Sequence, residues 1–517
     1  DLRGKVLPGY DFLNDHDNPV DEVGHGTAVA GIIAARGGDG VGIAGVAMET
    51  TILPVKVGSV DGSPISAIAA GIVWAVDQGA HVINLSLGAD FHSSALEAAV
   101  LYAYERNVPV VTAAGNEPDA ISYPGAYPQS ISVGASTHWG TLTGFSSRAN
   151  RVDLIAPGSN VLTTWTGGID GDTWASVTGT SFAAPMVTGT LALLLSLDPG
   201  LSVEELRFFV QSTAVPISET EPEPGGGAGQ LDAGAALASF LAQAFDQTWL
   251  PADNPVASGS ADRTWVWGPD PIATGFEAYD QTVSGERLIR YYDKARMEIN
   301  DPASFGNDPW FVTNGLLARE LISGKVQVGD QTFESRAPAR IVVAGDWGDS
   351  SSPTYSAFTG LLDASPASPG SVLMQRISTN GQVQEDPQFA QYNVYAAWYV
   401  PETNHQIASV FWTYLNSLGL IDMGGELVIG PLFEPTFYAT GLPITEAYWT
   451  VARVDGVLSD VLVQCFERRC LTYTPSNPVN WQVEMGNVGQ HYFNWRYNSS
   501  ASVPRPPSRL WFMSWMP

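Results

Sequence analysis

Through residue 240 the chain alternates short apolar runs with stretches of helical character. ILPVKVG (52–58), VINLSLG (82–88) and VPVVTAAG (108–115) are apolar runs of strand length, whereas 65–78 and 93–105 read as helices. The runs predict strands buried on both faces, as in a parallel sheet. One further segment, Phe182 to Leu195, is apolar without interruption and too long for a strand, so it predicts a helix that must be buried. Strand and helix in alternation imply an α/β domain: a mostly parallel sheet with helices on both faces, whose chemistry collects at strand and helix ends.

The pattern changes further on. PISETEPEPGGGAGQ (216–230) reads as a surface loop, GQLDAGAAL closes a domain spanning 1–245, and 246–265 reads as a linker. From 266 the sequence is rich in aromatic residues and turns, with short alternating segments such as RLIRYYDKARMEI (287–299) and GLPITEAYW (441–449). These predict a separate mixed α+β carboxyl-terminal module over 266–497, divided near ASPASPG (364–370) and followed by a tail, 498–517.

A chain of 517 residues has room for at least two domains. Its net charge of −29, with only four lysines, leaves no basic groove or patch, so nucleic acid is not expected as a partner. No apolar run reaches the ~20 residues that span a bilayer, and none at the amino end reads as a signal peptide. Cys465 and Cys470, in CFERRC, either close a short loop or stay free, and so decide no compartment.

VTGTSFAAPMVTG (177–189) raises a chemical question, because Ser181 follows a flexible Gly-Thr step and opens the buried helix. Serine is a preferred helix cap. Yet Gly179, Thr180, Ala183 and Ala184 surround it with small side chains, as though another chain approached the backbone closely. A hydroxyl there feels the positive end of the helix dipole and has a free backbone N–H beside it for an oxyanion. GHGTAVAG (24–31) puts His25 at the start of a small-residue helix, and VVTAAGNEP (110–118) ends a buried strand, Val108–Ala113, in Gly115-Asn116. Taken alone, each has an ordinary reading, a structural histidine and a turn.

Together, HGTAVAG, INLSLG (83–88), AAGN (113–116), APG (156–158) and GTSFAAP (179–185) resemble in order and spacing the motifs of the subtilisin-like serine peptidases, the subtilases. The likeness runs from residue 1 to about 245. It implies a secreted, extracellular serine endopeptidase acting on polypeptide substrates through an acyl-enzyme, with broad specificity and an apolar preference. Ser181 matches the nucleophile, His25 its general base and Asn116 the side-chain donor to the oxyanion. The resemblance also implies substrate contacts. Ser86, Leu87 and Gly88 would pair with the substrate backbone and Gly62 and Ser63 would form the opposing edge. Ala113, Ala114 and Gly115 would line one wall of the specificity pocket, closed by Tyr123 and Pro124. A structural Ca²⁺ is implied as well, held by Asp1 and by Asp39 in RGGDGVGIAG (36–45). Asp11, Asn14 and Asn18 fall near a second site of some relatives, with His16 where those carry a carboxylate.

One element of the family pattern does not appear. Subtilases orient the histidine with an aspartate in a D-[ST]-G motif that ends a buried strand. No such motif precedes His25, and DLRGKVLPGYDF resembles the stretch that follows it, so the aspartate is expected upstream of Asp1. Asp11, Asp15, Asp17 and Asp21 lie in a polar loop and are not expected to replace it. Two other functions stand beside the peptidase. One is a subtilase-fold binding protein without activity. The other is a cell-surface or carbohydrate-binding protein acting through 266–497, with exposed rings to stack on sugars or a carboxylate pair drawn from Asp293, Glu298 and Glu446.

Overall fold

The structure, a computed structural model, describes residues 1–38, 40–120, 122–149, 151–166, 174–217, 225–282, 285–305 and 310–497. It divides into two compact units, Asp1–Phe240 and Leu241–Pro517.

In the first unit the three apolar runs hold β2 (Val55–Lys56), β3 (Ile83–Leu85) and β4 (Val110–Ala113), beside β1 (Tyr10–Asp11), β5 (Ser130–Ser136) and β6 (Leu154–Pro157), which no run marks. A hairpin of β7 (Val161–Thr164) and β8 (Trp174–Val177) follows. β3 to β6 form one parallel sheet in that order, with Ile83 opposite Val110, Val110 opposite Ser130 and Val133 opposite Leu154. β1 and β2 form a separate parallel pair. The helices are α1 (His25–Ala34), α2 (Ile65–Asp77), α3 (Ser94–Glu105), α4 (Thr180–Leu197) and α5 (Val203–Ser212), and α6 (Ala233–Ala257) starts in this unit and continues into the second.

Both faces of the sheet are covered, and β3 shows how. Ile83 and Leu85 point to one face, where Ile68 and Ile72 of α2 and Leu96 and Val100 of α3 pack on them. Asn84 between them points to the other, where its Oδ1 accepts the Thr188 hydroxyl of α4 at 2.9 Å. α4 crosses β3, β4, β5 and β6 and packs on α1, with Ala183, Ala184, Val187, Leu191 and Leu194 fully buried. Among the described residues it is the one helix long and apolar enough to cross a membrane, but most of it is buried inside the unit.

Residues 246–257, expected to be a linker, instead continue α6 to Ala257. The reason is a contact that composition does not reveal. Asp253 is fully buried, and its carboxylate accepts the backbone N–H groups of Val266, Trp267 and Gly268 at 2.8, 2.6 and 3.0 Å. These bonds tie the end of the helix to the chain that follows.

The second unit is mixed α+β. Strands Ala273–Ala278, Glu286–Tyr291, Arg296–Ile299 and Thr313–Asn314 make an antiparallel sheet, and a six-stranded sheet is centred on Tyr448–Val454 and Val457–Cys465. Segment 364–370 does not divide the unit. Ala367 N–H donates to Glu446 Oε2 at 3.0 Å and Gly370 N–H to the Ala396 carbonyl at 2.8 Å, which ties the segment in. Cys465 and Cys470 face each other across a hairpin and form a disulfide.

Candidate active site

Three elements of the first unit converge: the carboxyl ends of β3 and β4 and the amino end of α4. Gly179 has φ 151°, a conformation that favours glycine, and lies against Asn116, with a Cβ there in ordinary contact with Nδ2. Thr180 then holds the Asn116 amide. Its backbone N–H and its hydroxyl donate to Asn116 Oδ1 at 2.9 and 3.0 Å, and the hydroxyl accepts the Gly115 N–H at 3.2 Å. A backbone N–H needs an acceptor, so the oxygen of Asn116 is the atom turned to Thr180 and Nδ2 is left to donate elsewhere.

Ser181 is fixed by a second clamp. Its hydroxyl donates to the Ser86 carbonyl at 3.2 Å, and the Ser86 hydroxyl donates to the Ser181 carbonyl at 2.6 Å. A helix carbonyl normally accepts the N–H four residues on, but that residue is Pro185, which has none. The vacated acceptor takes Ser86 instead. Ser86 Oγ in turn accepts Asn84 Nδ2 at 2.8 Å, so a chain of hydrogen bonds from Thr188 through Asn84 and Ser86 seats α4 on the end of β3.

His25 opens α1, half-buried, with its ring 5.4 Å from that of Phe182, the neighbour of Ser181. The Ser181 hydroxyl bonds the Ser86 carbonyl, and no hydrogen bond joins it to His25 among the described residues. Asp21 stands near His25, yet both its oxygens are engaged. Oδ1 accepts Val23 and Gly24 N–H at 3.1 and 2.8 Å, and Oδ2 accepts the Thr27 N–H and hydroxyl, each at 2.7 Å. Asp21 therefore caps α1 and reaches His25 by charge alone. Burial pushes its carboxyl up, but these hydrogen bonds outweigh burial and hold it below its ordinary value.

The expected substrate residues fall into two groups. Gly88 and Ala89 run beside Ser122 and Tyr123: a Cβ on Gly88 would stand 2.2 Å from Ser122 Oγ, and Ala89 and Tyr123 exchange backbone hydrogen bonds at 2.9 and 2.8 Å. Ala113 and Ala114 are buried at the end of β4, followed by Gly115, and Pro124 is buried after Tyr123. Ser63, Ser86 and Leu87 line one cavity together with His25, and Gly62 turns back on Ser59 just before it. His92 and Tyr127, which sequence reasoning passed over, brace the ring of Tyr123 edge-on and tilted, at 5.8 and 5.1 Å. Nothing in their local sequence signals that role.

The cavity that His25 lines holds about 1300 Å³, more than the ~300–1,000 Å³ of ordinary ligand pockets. It lies between β2 and β3, and Val55, Val57, Ile72, Ile83, Leu85 and Ala192 give it an apolar lining. Among the described residues β2 pairs with β1 alone and β3 with β4 alone, so each has one edge that no other strand pairs.

The metal expectations fare unequally. Asp1 sits against the turn at Gly42, and its Oδ2 accepts the Ile43 N–H at 3.1 Å and the Trp174 indole N–H at 2.7 Å. Among the described residues no group of three or more acidic, histidine or cysteine side chains is placed to hold a metal ion. Asp39 lies outside the described residues. Asp11 is differently engaged: Leu13 N–H, Asn14 N–H and Asn14 Nδ2 donate to it, and Lys56 stands 3.6 Å away. A carboxylate so met by donors shapes a turn and does not invite a cation.

In the second unit the carboxylates weighed as a pair are apart in role. Glu298 bonds Arg287 and Arg296, while Glu446 bonds His405 and the Gln406 N–H. Asp293 stands 4.0 Å from Lys294. Trp398, 49% exposed, is stacked on Trp412 at 4.6 Å.

Residues 3–248 match the subtilase family, peptidase S8. Over 222 residues the chain is 44% identical to the thermophilic serine proteinase of Bacillus sp. (strain AK1), covering 43% of this chain and 54% of that protein. It is 41% identical to thermitase of Thermoactinomyces vulgaris, covering 43% of this chain and 77% of the relative. To subtilisin BL of Lederbergia lenta it is 40% identical over 217 residues, 42% of this chain and 79% of the relative. The chain thus spans about half the length of the first relative.

Burial lowers the pKa of His25 below the ordinary imidazole value, and the charge of Asp21 offsets part of that. The folded protein then resists a proton that the unfolded chain takes up. Stability from this group is complete above the ordinary value and is lost as pH falls from there through the lowered one. An NMR titration of the His25 ring is expected to give a midpoint below that of a free imidazole, and Asp21→Asn should lower it further. A midpoint above the free value would contradict this account.

Proposed function

The chain belongs to the subtilase family, and from that premise we propose that it is a secreted serine endopeptidase. The observation that carries the reading is the double clamp on α4. Thr180 turns Asn116 Nδ2 outward and Ser86 holds Ser181, so two donors and a nucleophile share one helix terminus. Ser181 Oγ attacks the peptide carbonyl while His25 accepts its proton. The oxyanion that forms takes hydrogen bonds from the Ser181 N–H and Asn116 Nδ2. His25 then returns the proton to the departing amine. Water, activated by the same imidazole, releases the acyl group.

Substrate binds as an extended strand along Ser86 to Gly88, with Gly62 and Ser63 opposite, a mode that reads backbone and tolerates varied sequence. Small Ala113, Ala114 and Gly115 leave room for a large apolar side chain against Tyr123 and Pro124. Asp1, with Asp39, would hold a Ca²⁺ that braces the turn after α1. Secretion is supported by the Cys465–Cys470 disulfide, since such bonds persist in oxidising compartments.

His25 also needs a carboxylate to fix its tautomer and support its charge. The cavity between β2 and β3 supports the view that this group arrives on an extended, apolar, parallel strand whose carboxyl end reaches His25.

A fluorophosphonate probe is expected to label Ser181, and labelling that survives Ser181→Ala would remove the assignment. In the same series Asn116→Ala should cost about 10²–10³ in turnover, the worth of this donor in subtilisin, where it was measured. Supplied with a synthetic apolar strand peptide ending in Asp, the chain should gain up to about 10⁴ in turnover over the same peptide ending in Asn. Equal rates with both would sink the strand proposal. A chelator should lower the melting temperature of the first unit by removing a ligand bound only to the folded state. An unchanged melt would exclude the calcium assignment.

A further inference from the structure

Among the described residues the second unit buries four arginines almost completely, and three of them are paired. Arg287 meets Glu298 at 3.0 Å, Arg296 meets Glu277 at 3.2 Å and Arg496 meets Glu277 at 2.9 Å. Arg469, 1% exposed, is the exception. Its Nη1 donates to the Val266 carbonyl and to Met485 Sδ, and its guanidinium lies 4.5 Å over the ring of Trp267. Nε and Nη2 have no acceptor among the described residues. These two N–H groups point in parallel from one edge of the guanidinium, the edge that grips an oxyanion through two hydrogen bonds.

The carboxylates nearby do not supply the missing partner. Both oxygens of Asp253 are taken by the backbone N–H groups of Val266, Trp267 and Gly268. Asp293 keeps an unpartnered Oδ1 but lies beside Lys294 at 4.0 Å, not at ion-pair distance from Arg469. The Tyr414 hydroxyl and Arg263 Nε are also buried without an acceptor, and Tyr414 lies within electrostatic reach of both Arg263 and Arg469. Arg263, Lys294, Arg468 and Arg469 lie among Asp253, Asp293, Glu467 and Glu484, a near balance of charge, but none of these carboxylates is at ion-pair distance from Arg469 among the described residues. A buried guanidinium whose N–H groups lack acceptors is costly, and buried charged groups in folded proteins are hydrogen-bonded or paired. Burial, only partly offset by the charge of Asp253, pulls the Arg469 guanidinium down to about 10.

We propose that the second unit binds a small inorganic oxyanion, of the phosphate or sulfate class, in the fork of Arg469 with the Tyr414 hydroxyl as third donor. Arg469 belongs to the turn after Val457–Cys465, Tyr414 to the helix Ser409–Leu415, and Trp267 to the segment that follows α6. One anion there joins three parts of the chain that are distant in sequence.

The test is calorimetry on the full chain, dialysed free of phosphate and melted across an inorganic phosphate series at constant ionic strength. The melting temperature of the second unit is expected to rise and saturate with phosphate, as for a ligand that binds only the folded state. Arg469→Gln should abolish the saturable rise, and the nearly isosteric Tyr414→Phe should shift its midpoint at least tenfold to higher phosphate. No rise in the wild-type chain, or the same rise in all three proteins, overturns the proposal. So does crystallographic density that shows only water at Nε and Nη2.

Discussion

The first unit depends on how the amino end of α4 is seated on the carboxyl ends of β3 and β4. The helix is apolar on all sides and must be buried, which places its body across the sheet. Its terminus is then fixed by few bonds: Thr180 to Asn116 and Gly115, Ser181 and Ser86 to each other, Thr188 to Asn84. Pro185 is part of this arrangement, because the helix bond it cannot make frees the carbonyl that Ser86 occupies. The same bonds that align helix and sheet also orient the hydroxyl and the amide on which the proposed chemistry rests. Rigidity of the scaffold and geometry of the site are thus one constraint.

The two units bury polar groups differently. In the first, buried charges are met by a mixture of backbone and side chains: Arg207 donates to the carbonyls of Pro128 and Ser130, while Asp153 accepts the Ser132 N–H and pairs with Arg151 at 2.8 Å. In the second, a cluster of Glu277, Glu298 and Glu320 with Arg287, Arg296 and Arg496 occupies the interior among Tyr291, Tyr492 and Tyr497. Desolvating such a cluster is costly, and each ion is tolerable only because its partners are in place. The charges of Arg296, Arg496 and Arg287 outweigh burial at Glu277 and hold its carboxyl far below the usual range. Removing one member strands the others, so this core commits the unit to a single arrangement more than it adds net stability.

Sequence by itself determined what local pattern controls. Apolar runs and periodicity located β2, β3 and β4 inside longer runs and gave two helices nearly to their ends: the helix expected over 65–78 is Ile65–Asp77, and that expected over 93–105 is Ser94–Glu105. Motif chemistry marked His25, Asn116 and Ser181 as residues worth joining. Only the tertiary structure decided what joins them. Thr180 and Asn116 are 64 residues apart, Ser86 and Ser181 are 95, and Glu277 and Arg496 are 219. No period or composition carries such pairings. The same holds for Asp253, whose buried bonds turn a linker-like stretch into helix, and for the cavity between β2 and β3, which exists because two strands distant in sequence lie near each other without pairing. Local sequence sets which segments must be buried and in what form, whereas hydrogen bonds and ion pairs between buried groups depend on which segments the fold brings together.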